Sequence, residues 1–362
     1  MVLLRILYWL LCGLSILASL LPIIPSRHWW VRIFEYGRVQ NFLLLAGLLA
    51  VYPFVNHGAP GTYIVLSLLF LSLLYNGWLL LPYTGLFHSP APVPKDRQDR
   101  IRLLTANVYQ FNKEPKRFIE LVRKYDPDII LTMESNGAWD QALAALEKDY
   151  PYAHKVPLEN TYGMHLYTRL PVEELKTQHL VAQDIPSIRA RLLDQEGRLF
   201  TLYGVHPPPP SPTEEPTSLE RDAELLAVAK EIRKRKESTL VAGDFNNVAW
   251  SRSSKLFKKM SQLIDPRVGR GLIPTFHTRY RLIRVPIDQL YHSSDVFVTR
   301  LSRGEDFGSD HYPLICEFFV HPDDNRQAHR VEDVDSTEKQ EALQRIKEGK
   351  AEDSDRPAIA KP

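Results

Sequence analysis

The first 89 residues contain three apolar runs that fix how this part of the chain can fold. Residues 3–24 are almost wholly apolar, with Arg5 as their one charge. Residues 62–81 form a second long run, and residues 42–55 form a shorter one. A helix needs about 20 apolar residues to cross a bilayer, and it satisfies its own backbone hydrogen bonds in lipid. The sequence therefore predicts a membrane anchor with about three transmembrane helices, and the lipid bilayer as a partner.

Two alternatives to this anchor stay open: a cleaved signal peptide, and buried core helices of a soluble domain. No small-residue cleavage pattern follows the first run, which disfavours the signal peptide. Lengths near 20 residues disfavour soluble core helices. The short run at 42–55 is either a span with polar flanks or a re-entrant segment.

Charge in the connections between the runs predicts the orientation of the anchor. Residues 27–38 carry three arginines, whereas residues 56–61 carry none. The positive-inside rule places the first connection in the cytoplasm, with Trp29 and Trp30 as interfacial anchors. With three spans, the rest of the chain is also cytoplasmic. The conclusion reverses if the short middle run does not cross.

The remainder of the chain divides by composition into a linker, a folded domain and a tail. Residues 90–100 are rich in proline and charge, which is typical of a linker. Residues 101–320 have the mixed composition of a folded domain. Residues 321–362 are polar and charged, which predicts a mostly disordered tail. Within the tail, capping-box spacing of Asp335 and Glu338 favours a short solvated helix over 336–350.

Net charge and cysteine content narrow the functional classes only slightly. The formal net charge is +2, so bulk charge does not argue for a protein that tracks long nucleic acids, which usually show a strongly basic face. Cys12 and Cys316 both lie in apolar runs and are predicted to be buried thiols, not a disulfide or a metal pair.

Residues 101–320 alternate between strand-like and helix-like segments, which predicts a layered α/β domain. The helix at 217–236 carries Thr217 and Glu220 at capping-box spacing. The predicted strands are 102–106, 129–132, 164–167, 200–205 and 240–242, and the other predicted helices are 115–125, 138–148 and 251–263.

Polar residues follow the apolar runs of this domain repeatedly. Strand ends of one sheet bring residues that are distant in sequence to a common edge, so these side chains are expected to meet. Carboxylates, amides and imidazoles together are the groups needed to activate water beside a phosphate. The residues are Asn107, Glu134, His206, Asp244, Asn246, Asp288, Asp310 and His311.

The motifs around these residues resemble the endonuclease/exonuclease/phosphatase superfamily. Residues 243–246 (Gly-Asp-Phe-Asn) and 309–313 (Ser-Asp-His-Tyr-Pro) match its motifs fully, while Met133 and Gln289 replace a usual Gln and a usual ring residue. The resemblance implies a four-layer α/β sandwich, in which two packed mixed β-sheets are flanked by helices, here preceded by transmembrane helices. The anchor adds similarity to a bacterial membrane-anchored branch, which implies the bacterial inner membrane. The remaining matching segments, in the family's order, are 105–108, 133–134, 163–171, 205–206 and 287–290.

The resemblance also implies a metal centre. Glu134 is the best candidate ligand, with Asp310 and Asn107 completing or orienting its shell. An oxygen-only donor set suits Mg²⁺, for which Mn²⁺ can substitute. The alternative for Glu134 is a capping or salt-bridged surface residue.

The other motif residues are expected to act on water and phosphate. Asp244 would orient and deprotonate the attacking water, and Asn246 would donate to a phosphate oxygen. Asp288 would hold His311, which acts as a phosphate contact or as a base. His206 is a second phosphate contact, an acid for the leaving group, or a structural histidine.

The remaining predictions concern the substrate, the function and protein partners. Arg279 and Arg281 lie in a segment that often touches substrate in the family, although a solvated basic loop explains them equally well. The predicted function is a membrane-anchored Mg²⁺-dependent phosphoesterase that hydrolyses a phosphodiester of a nucleic acid or a phospholipid. The alternative is a non-catalytic membrane-bound binding module on a nuclease-like scaffold. No protein partner is indicated.

Overall fold

The computed structural model describes residues 2–55, 61–87 and 100–352. The predicted linker, apart from Arg100, lies outside the described residues, as do positions 353–362 of the predicted tail and most of the second connection.

The amino-terminal part consists of four helices. Three segments in the described part of the chain are long and apolar enough to cross a membrane: Val2–Ile23, Arg38–Val55 and Gly61–Tyr83, each with less than a third of its apolar window buried. The shortest predicted run therefore begins earlier than expected and becomes an 18-residue helix. The helices are α1 (Val2–Leu20), α2 (Trp29–Tyr36), α3 (Arg38–Val55) and α4 (Gly61–Leu80).

Polar contacts bring one end of each long helix together. The amide nitrogen of Asn76, near the end of α4, donates to Ser19 Oγ at the end of α1 (2.9 Å). Arg38, the first residue of α3, donates to Asn76 Oδ1 (3.1 Å). The three helices thus alternate in direction, and the end of α1, the start of α3 and the end of α4 lie at the same level.

Eleven strands in the described residues form two packed mixed sheets. The first sheet has the order β10-β11-β1-β2-β4-β3 and the second the order β5-β6-β7-β8-β9. Strands β1 and β2 are parallel, as are β7 and β8, and the other pairings are antiparallel. The strands are β1 (Ile101–Asn107), β2 (Ile129–Met133), β3 (Tyr152–Val156), β4 (Met164–Thr168), β5 (Val172–Gln178), β6 (Ser187–Leu193), β7 (Leu199–Val205), β8 (Thr239–Asp244), β9 (Asp288–His292), β10 (Val296–Arg303) and β11 (Leu314–Val320).

The main core fills the space between the two sheets. Leu103, Leu131 and Met164 of the first sheet pack against Leu202 and Leu240 of the second, and all five are buried. Alternate residues of each strand face this core, because successive side chains of a strand point to opposite faces. The opposite faces of both sheets are also buried, under helices.

Five helices cover the outer faces, which confirms the predicted four-layer sandwich. Helices α5 and α6 pack on the first sheet, and α7, α8 and α9 pack on the second. Their bounds are α5 (Pro115–Tyr125), α6 (Gly137–Leu143), α7 (Leu219–Arg235), α8 (Arg252–Ser261) and α9 (Ser336–Lys350).

Two sequence predictions about these helices are corrected. Helix α7 begins at Leu219, and its N-cap residue Ser218 makes no side-chain capping bond, so the predicted capping box of Thr217 and Glu220 does not form. Helix α6 ends at Leu143 and continues only as a 3-10 turn, Ala144–Leu146.

The predicted tail is ordered through residue 352. The capping box of Asp335 and Glu338 is present at the start of α9. Contrary to the expectation of a solvated helix, α9 buries Ala342, Ile346 and Gly349, with Ala342 and Ile346 in the core cluster that includes α7. Its charged residues are either exposed, as Lys339 and Lys347 are, or pair with the domain, as Arg345 does with the buried Asp222 (2.9 Å). Composition alone predicted disorder because it does not reveal these pairings.

The amino-terminal helices are packed directly onto the two-sheet domain. The indole nitrogen of Trp250 donates to the carbonyl of Glu35 in α2 (2.7 Å). The backbone nitrogen of Gly269 donates to Pro82 O, just after α4 (2.8 Å). Leu80 shares an apolar cluster with Trp250 and with residues near β9. The anchor is therefore part of the domain's surface.

Candidate active site

The strand directions place the predicted site residues at one edge of the sandwich. The parallel pairs β1–β2 and β7–β8 end at this edge, and the antiparallel strands β9 and β11 begin there. At these strand ends, or one to four residues beyond them, lie Asn107, Glu134, His206, Asp244, Asn246, Asp288, Asp310 and His311.

Glu134 is held from two sides. Asn107 Nδ2 donates to its Oε1 (2.8 Å), and the backbone nitrogen of Gln110 donates to its Oε2 (3.0 Å). Desolvation and the negative charge of Asp310 raise the pKa of Glu134 to about 7. Its backbone adopts φ +59°, a conformation that is costly for a side chain other than glycine and is common at functional sites.

Asp244 lies at the centre of the group and is buried. Its Oδ2 accepts from Asn107 Nδ2 (3.1 Å) and lies 3.6 Å from Nε2 of His311 and 3.8 Å from Nε2 of His206. Its Oδ1 accepts from the backbone nitrogen of Asn246 (2.9 Å). One carboxylate thereby contacts four candidate site residues.

A tight turn after β8 positions Asp244 and Asn246. Gly243 has φ +147°, and a Cβ there would lie 2.0 Å from the carbonyl oxygen of Val205 on the neighbouring strand, so only glycine fits. Asn246 has φ +47°, and its side-chain nitrogen donates to Pro207 O (3.0 Å). The side chain therefore ties the turn to the proline-rich loop that follows β7.

His311 and Asp288 form the predicted pair. Nδ1 of His311 and Oδ2 of Asp288 are 2.8 Å apart, and both side chains are buried. Burial opposes protonation of the imidazole and raises the pKa of Asp288. The carboxylates of Asp288 and Asp244 outweigh this burial and raise the pKa of His311 well above its ordinary value. The raised pKa of His311 favours its imidazolium form, in which Nε2–H faces Asp244.

His206 has the opposite electrostatic character. Burial lowers the pKa of His206 to about 4, although the negative charge of Asp244 acts to raise it. Its ring lies against that of Tyr162, with centroids 5.5 Å apart. At neutral pH His206 is uncharged and can donate only one ring N–H.

The donor chemistry fits a hard divalent cation at Glu134 and Asp310. Oxygen ligands suit such an ion, and a cation would offset the mutual repulsion that raises the pKa of Glu134. A second group, Asp244, Asp288 and His311, has ligand atoms within 4.8 Å of one another, but there Asp288 and the protonated His311 already bond to each other.

Asn107, the third predicted ligand, has its amide groups engaged. Its nitrogen bridges Glu134 and Asp244, and its oxygen accepts from the backbone nitrogen of Tyr109 (3.0 Å). This arrangement orients the two carboxylates.

A cleft of about 1230 Å³ opens above these residues. Its floor includes Glu134, Asp244 and His311, and one wall comes from the proline-rich loop. Another part of its lining comes from Ile33, Tyr36, Gly37 and Gln40 of the amino-terminal segment. No Lys or Arg lines this cleft in the described part of the chain. Arg279 and Arg281 are exposed on a neighbouring loop and are not among the lining residues.

Sequence reasoning missed the contribution of α2 to the site. The hydroxyl of Tyr36 donates to the carbonyl of Asn246 (2.5 Å), and Arg221 Nη1 donates to the same oxygen (2.9 Å). The sequence pattern that could have indicated this packing of α2 is the helical spacing of Val31, Arg32 and Glu35, which form its buried face.

Comparisons with known proteins agree with this geometry. A sequence model described as the endonuclease/exonuclease/phosphatase family matches residues 104–311. No curated protein sequence matches the chain.

Several solved structures share the fold at low sequence identity. D. rerio TDP2 complexed with a single-strand DNA product has a TM-score of 0.52 at 17% identity, covering 62% of this chain and 100% of that one. The human nocturnin catalytic domain with bound sulfate has a TM-score of 0.51 at 19% identity, covering 62% and 96%. An endonuclease/exonuclease/phosphatase from Bacteroides vulgatus has a TM-score of 0.51 at 18% identity, covering 61% and 99%.

Proposed function

Because the chain belongs to the endonuclease/exonuclease/phosphatase family, we propose that it is a Mg²⁺-dependent phosphoesterase that hydrolyses a phosphodiester while anchored in a bacterial inner membrane. The observation that carries the proposal is the convergence on Asp244 of Asn107, His206 and His311, each within 3.8 Å of its Oδ2. A surface cluster without function would not bury two histidines around one carboxylate.

Metal binding, water activation and the positioning of the carboxylates are assigned to different residues. Glu134 and Asp310 would hold the Mg²⁺ ion, for which Mn²⁺ could substitute, and such an ion would neutralise phosphate charge and make a water molecule more acidic. Asp244 orients the attacking water and accepts its proton. Asn107 keeps the carboxylates of Glu134 and Asp244 in place.

The two histidines act on the phosphate. Asp288 holds His311 as an imidazolium, so His311 donates Nε2–H to a phosphate oxygen and stabilises charge in the transition state. This protonation state favours a phosphate contact over the role of base. The depressed pKa of His206 likewise favours a neutral phosphate donor over an acid for the leaving group. Asn246 holds the turn that carries Asp244, through its side-chain bond to Pro207 O, and is a further donor to a phosphate oxygen.

The substrate is a phosphodiester of a nucleic acid or a phospholipid. The DNA product in the D. rerio TDP2 structure supports the first at the level of the shared fold. The apolar helices support the second, because they hold the cleft beside a bilayer. Three spans and the arginines of residues 27–38 favour a cytoplasmic catalytic domain.

The test uses the purified full chain in detergent with Mg²⁺. Hydrolysis is measured on bis(p-nitrophenyl) phosphate, single-stranded DNA, RNA and phospholipid vesicles, with Asp244→Asn as the inactive control. Turnover of at least one diester that is lost in EDTA and in the variant supports the proposal. Binding without turnover of any of them would favour the non-catalytic module instead.

A further inference from the structure

We propose that the cleft takes a phospholipid directly from the bilayer that holds the anchor, an inference that rests on the proposed phosphodiesterase function. The headgroup phosphate would reach Asp244 and His311, while the acyl chains stay in the membrane beside an apolar rim. This rim is defined by Trp30 and Ile33 of α2 and by Leu282 and Ile283 of the loop before β9.

In helix α2 the charged side chains are buried and apolar side chains are exposed, which is the reverse of the pattern in a surface helix of a soluble protein. Its charged residues Arg32 and Glu35 are buried and paired (2.8 Å), whereas Trp30 and Ile33 are 51% and 53% exposed. A surface helix in water presents its polar face outward. An outward apolar face with a tryptophan is typical of a helix that lies in a membrane interface.

The second part of the rim has the same character. Leu282 and Ile283 are 86% and 61% exposed, next to the exposed side chains of Arg279 and Arg281. Two apolar side chains flanked by arginines suit the boundary between acyl chains and anionic headgroups. The two arginines would thus contact the lipid surface instead of the reacting phosphate.

The membrane helices hold both parts of the rim at the bilayer surface. Helix α2 lies between the end of α1 and the start of α3. Near the start of α3, Gln40 Nε2 donates to the carbonyl of Leu282 (3.1 Å). The rim therefore lies where the spans emerge, on the side of the catalytic domain.

The rim is continuous with the site. Ile33 and Ile283 line the same 1230 Å³ cleft as Glu134, Asp244 and His311. That volume exceeds the roughly 300–1000 Å³ of small-molecule pockets and has room for a headgroup and the first part of its chains. The apolar wall of the cleft suits the acyl chains of a phospholipid, and the polar floor suits its headgroup phosphate.

The charge of the cleft argues against a polynucleotide. A nucleic acid needs Lys and Arg for the phosphates that flank the one being cut. None lines the cleft among the residues that the structure describes, where the exposed Arg279 acts on the lining residue Tyr109 from the neighbouring loop, and Glu214 adds a further acidic side chain to the wall. A lipid presents one phosphodiester, which the floor residues and a metal ion suffice to bind.

The reaction is a simple hydrolysis. The water oxygen forms a bond to phosphorus, the bond from phosphorus to one ester oxygen breaks, and a proton passes to that oxygen. The products are a phosphomonoester and an alcohol, one of which remains in the membrane.

The experiment compares two substrates for the full chain reconstituted with Mg²⁺ into proteoliposomes that contain phosphatidylglycerol. One activity is hydrolysis of this lipid, measured by organic extraction of its products, and the other is hydrolysis of soluble bis(p-nitrophenyl) phosphate. Leu282→Asp and Trp30→Glu each alter one part of the rim at exposed positions outside the cleft lining. Leu343→Asp, at a 39% exposed position on α9, is the matched control.

We expect the wild type and Leu343→Asp to hydrolyse the lipid, and we expect the ratio of lipid to soluble-diester turnover to fall at least tenfold in each rim variant. A ratio within twofold of wild type in both rim variants overturns the inference. So does cleavage of single-stranded DNA and the soluble diester with no lipid hydrolysis, while the phosphodiesterase function then stands. Failure to cleave any diester refutes the proposed function itself.

Discussion

The hydroxyl of Tyr36, two residues before helix α3 begins at Arg38, donates to the carbonyl of Asn246 in the turn that carries Asp244. A hydrogen bond therefore links helix α2 directly to the turn of the candidate active site. Because Arg221 also donates to the Asn246 carbonyl, loss of the tyrosine hydroxyl loosens the turn without removing every contact that holds it.

Tyr36→Phe should lower kcat three- to tenfold, because one hydrogen bond contributes about 0.5–1.5 kcal/mol. Tyr36 is a positioning residue, so KM for the soluble diester should stay within twofold of wild type. Tyr63→Phe, at an exposed position on α4, serves as the control. A change in KM alone would contradict the positioning role.

Asp244→Asn and His311→Ala should each lower turnover at least 100-fold, because removal of a base or of a transition-state donor typically costs that much. Thermal unfolding and circular dichroism check that the fold is retained. Wild-type turnover in Asp244→Asn would show that another group activates the water.

Glu134→Ala should raise the Mg²⁺ concentration for half-maximal activity at least tenfold, because the ion loses one of its two proposed carboxylates. The measurement is a Mg²⁺ titration after dialysis against EDTA. Glu120, an exposed glutamate on α5, supplies the control Glu120→Ala. An unchanged titration curve would remove Glu134 from the metal site.

The contribution of Glu224 to the stability of the domain should fall as pH rises from about 4.5 to about 8. Burial raises the pKa of Glu224 on α7 from 4.5 to about 8, so the folded state binds a proton that the unfolded state releases over this range. The contribution is fully present below about 4.5 and is lost as pH passes the folded-state pKa, on the order of 5 kcal/mol at most. In thermal unfolding, Glu224→Gln should flatten this dependence. An equally steep dependence in the variant would assign it to other groups.

The catalytic domain should face the cytoplasm. A reporter fused after Glu352, beyond the packed helix α9, distinguishes the two sides. Fluorescence of a cytoplasm-only reporter with little alkaline phosphatase activity is expected from the arginines of residues 27–38. The reverse pattern would place the domain outside and give it the outer leaflet as its lipid source.

The sequence predicted the sandwich because its strands and helices are locally consistent. Helix α5 begins at Pro115 as expected, and the strands that end at Asn107 and Asp244 contain short apolar runs just before these residues. Strand β5 (Val172–Gln178) was not predicted, since it lies at a sheet edge and carries exposed charges. The predicted site residues meet because the strand ends share one edge, which no local pattern specifies.

The contribution of the anchor could not be predicted, because it depends on contacts between segments about 200 residues apart. The arginines between the first two runs looked like free charges of a connection. Arg32 instead pairs with Glu35, and Arg38 bonds to Asn76. Helix α9 is a similar case, since its small buried residues become a packing face only once α7 is in place.

The position of β1 in its sheet sets the order in which the domain can fold during synthesis. Strand β1 lies between β2 and β11, with Ile101 opposite Phe318. At roughly 5–20 residues per second, β11 leaves the ribosome about 10–40 s after β1. With the proposed anchor inserted, the nascent chain is held at the membrane during this interval, while one edge of its central strand is still unpaired. In that arrangement the sandwich closes, and the cleft is assembled, at the bilayer surface.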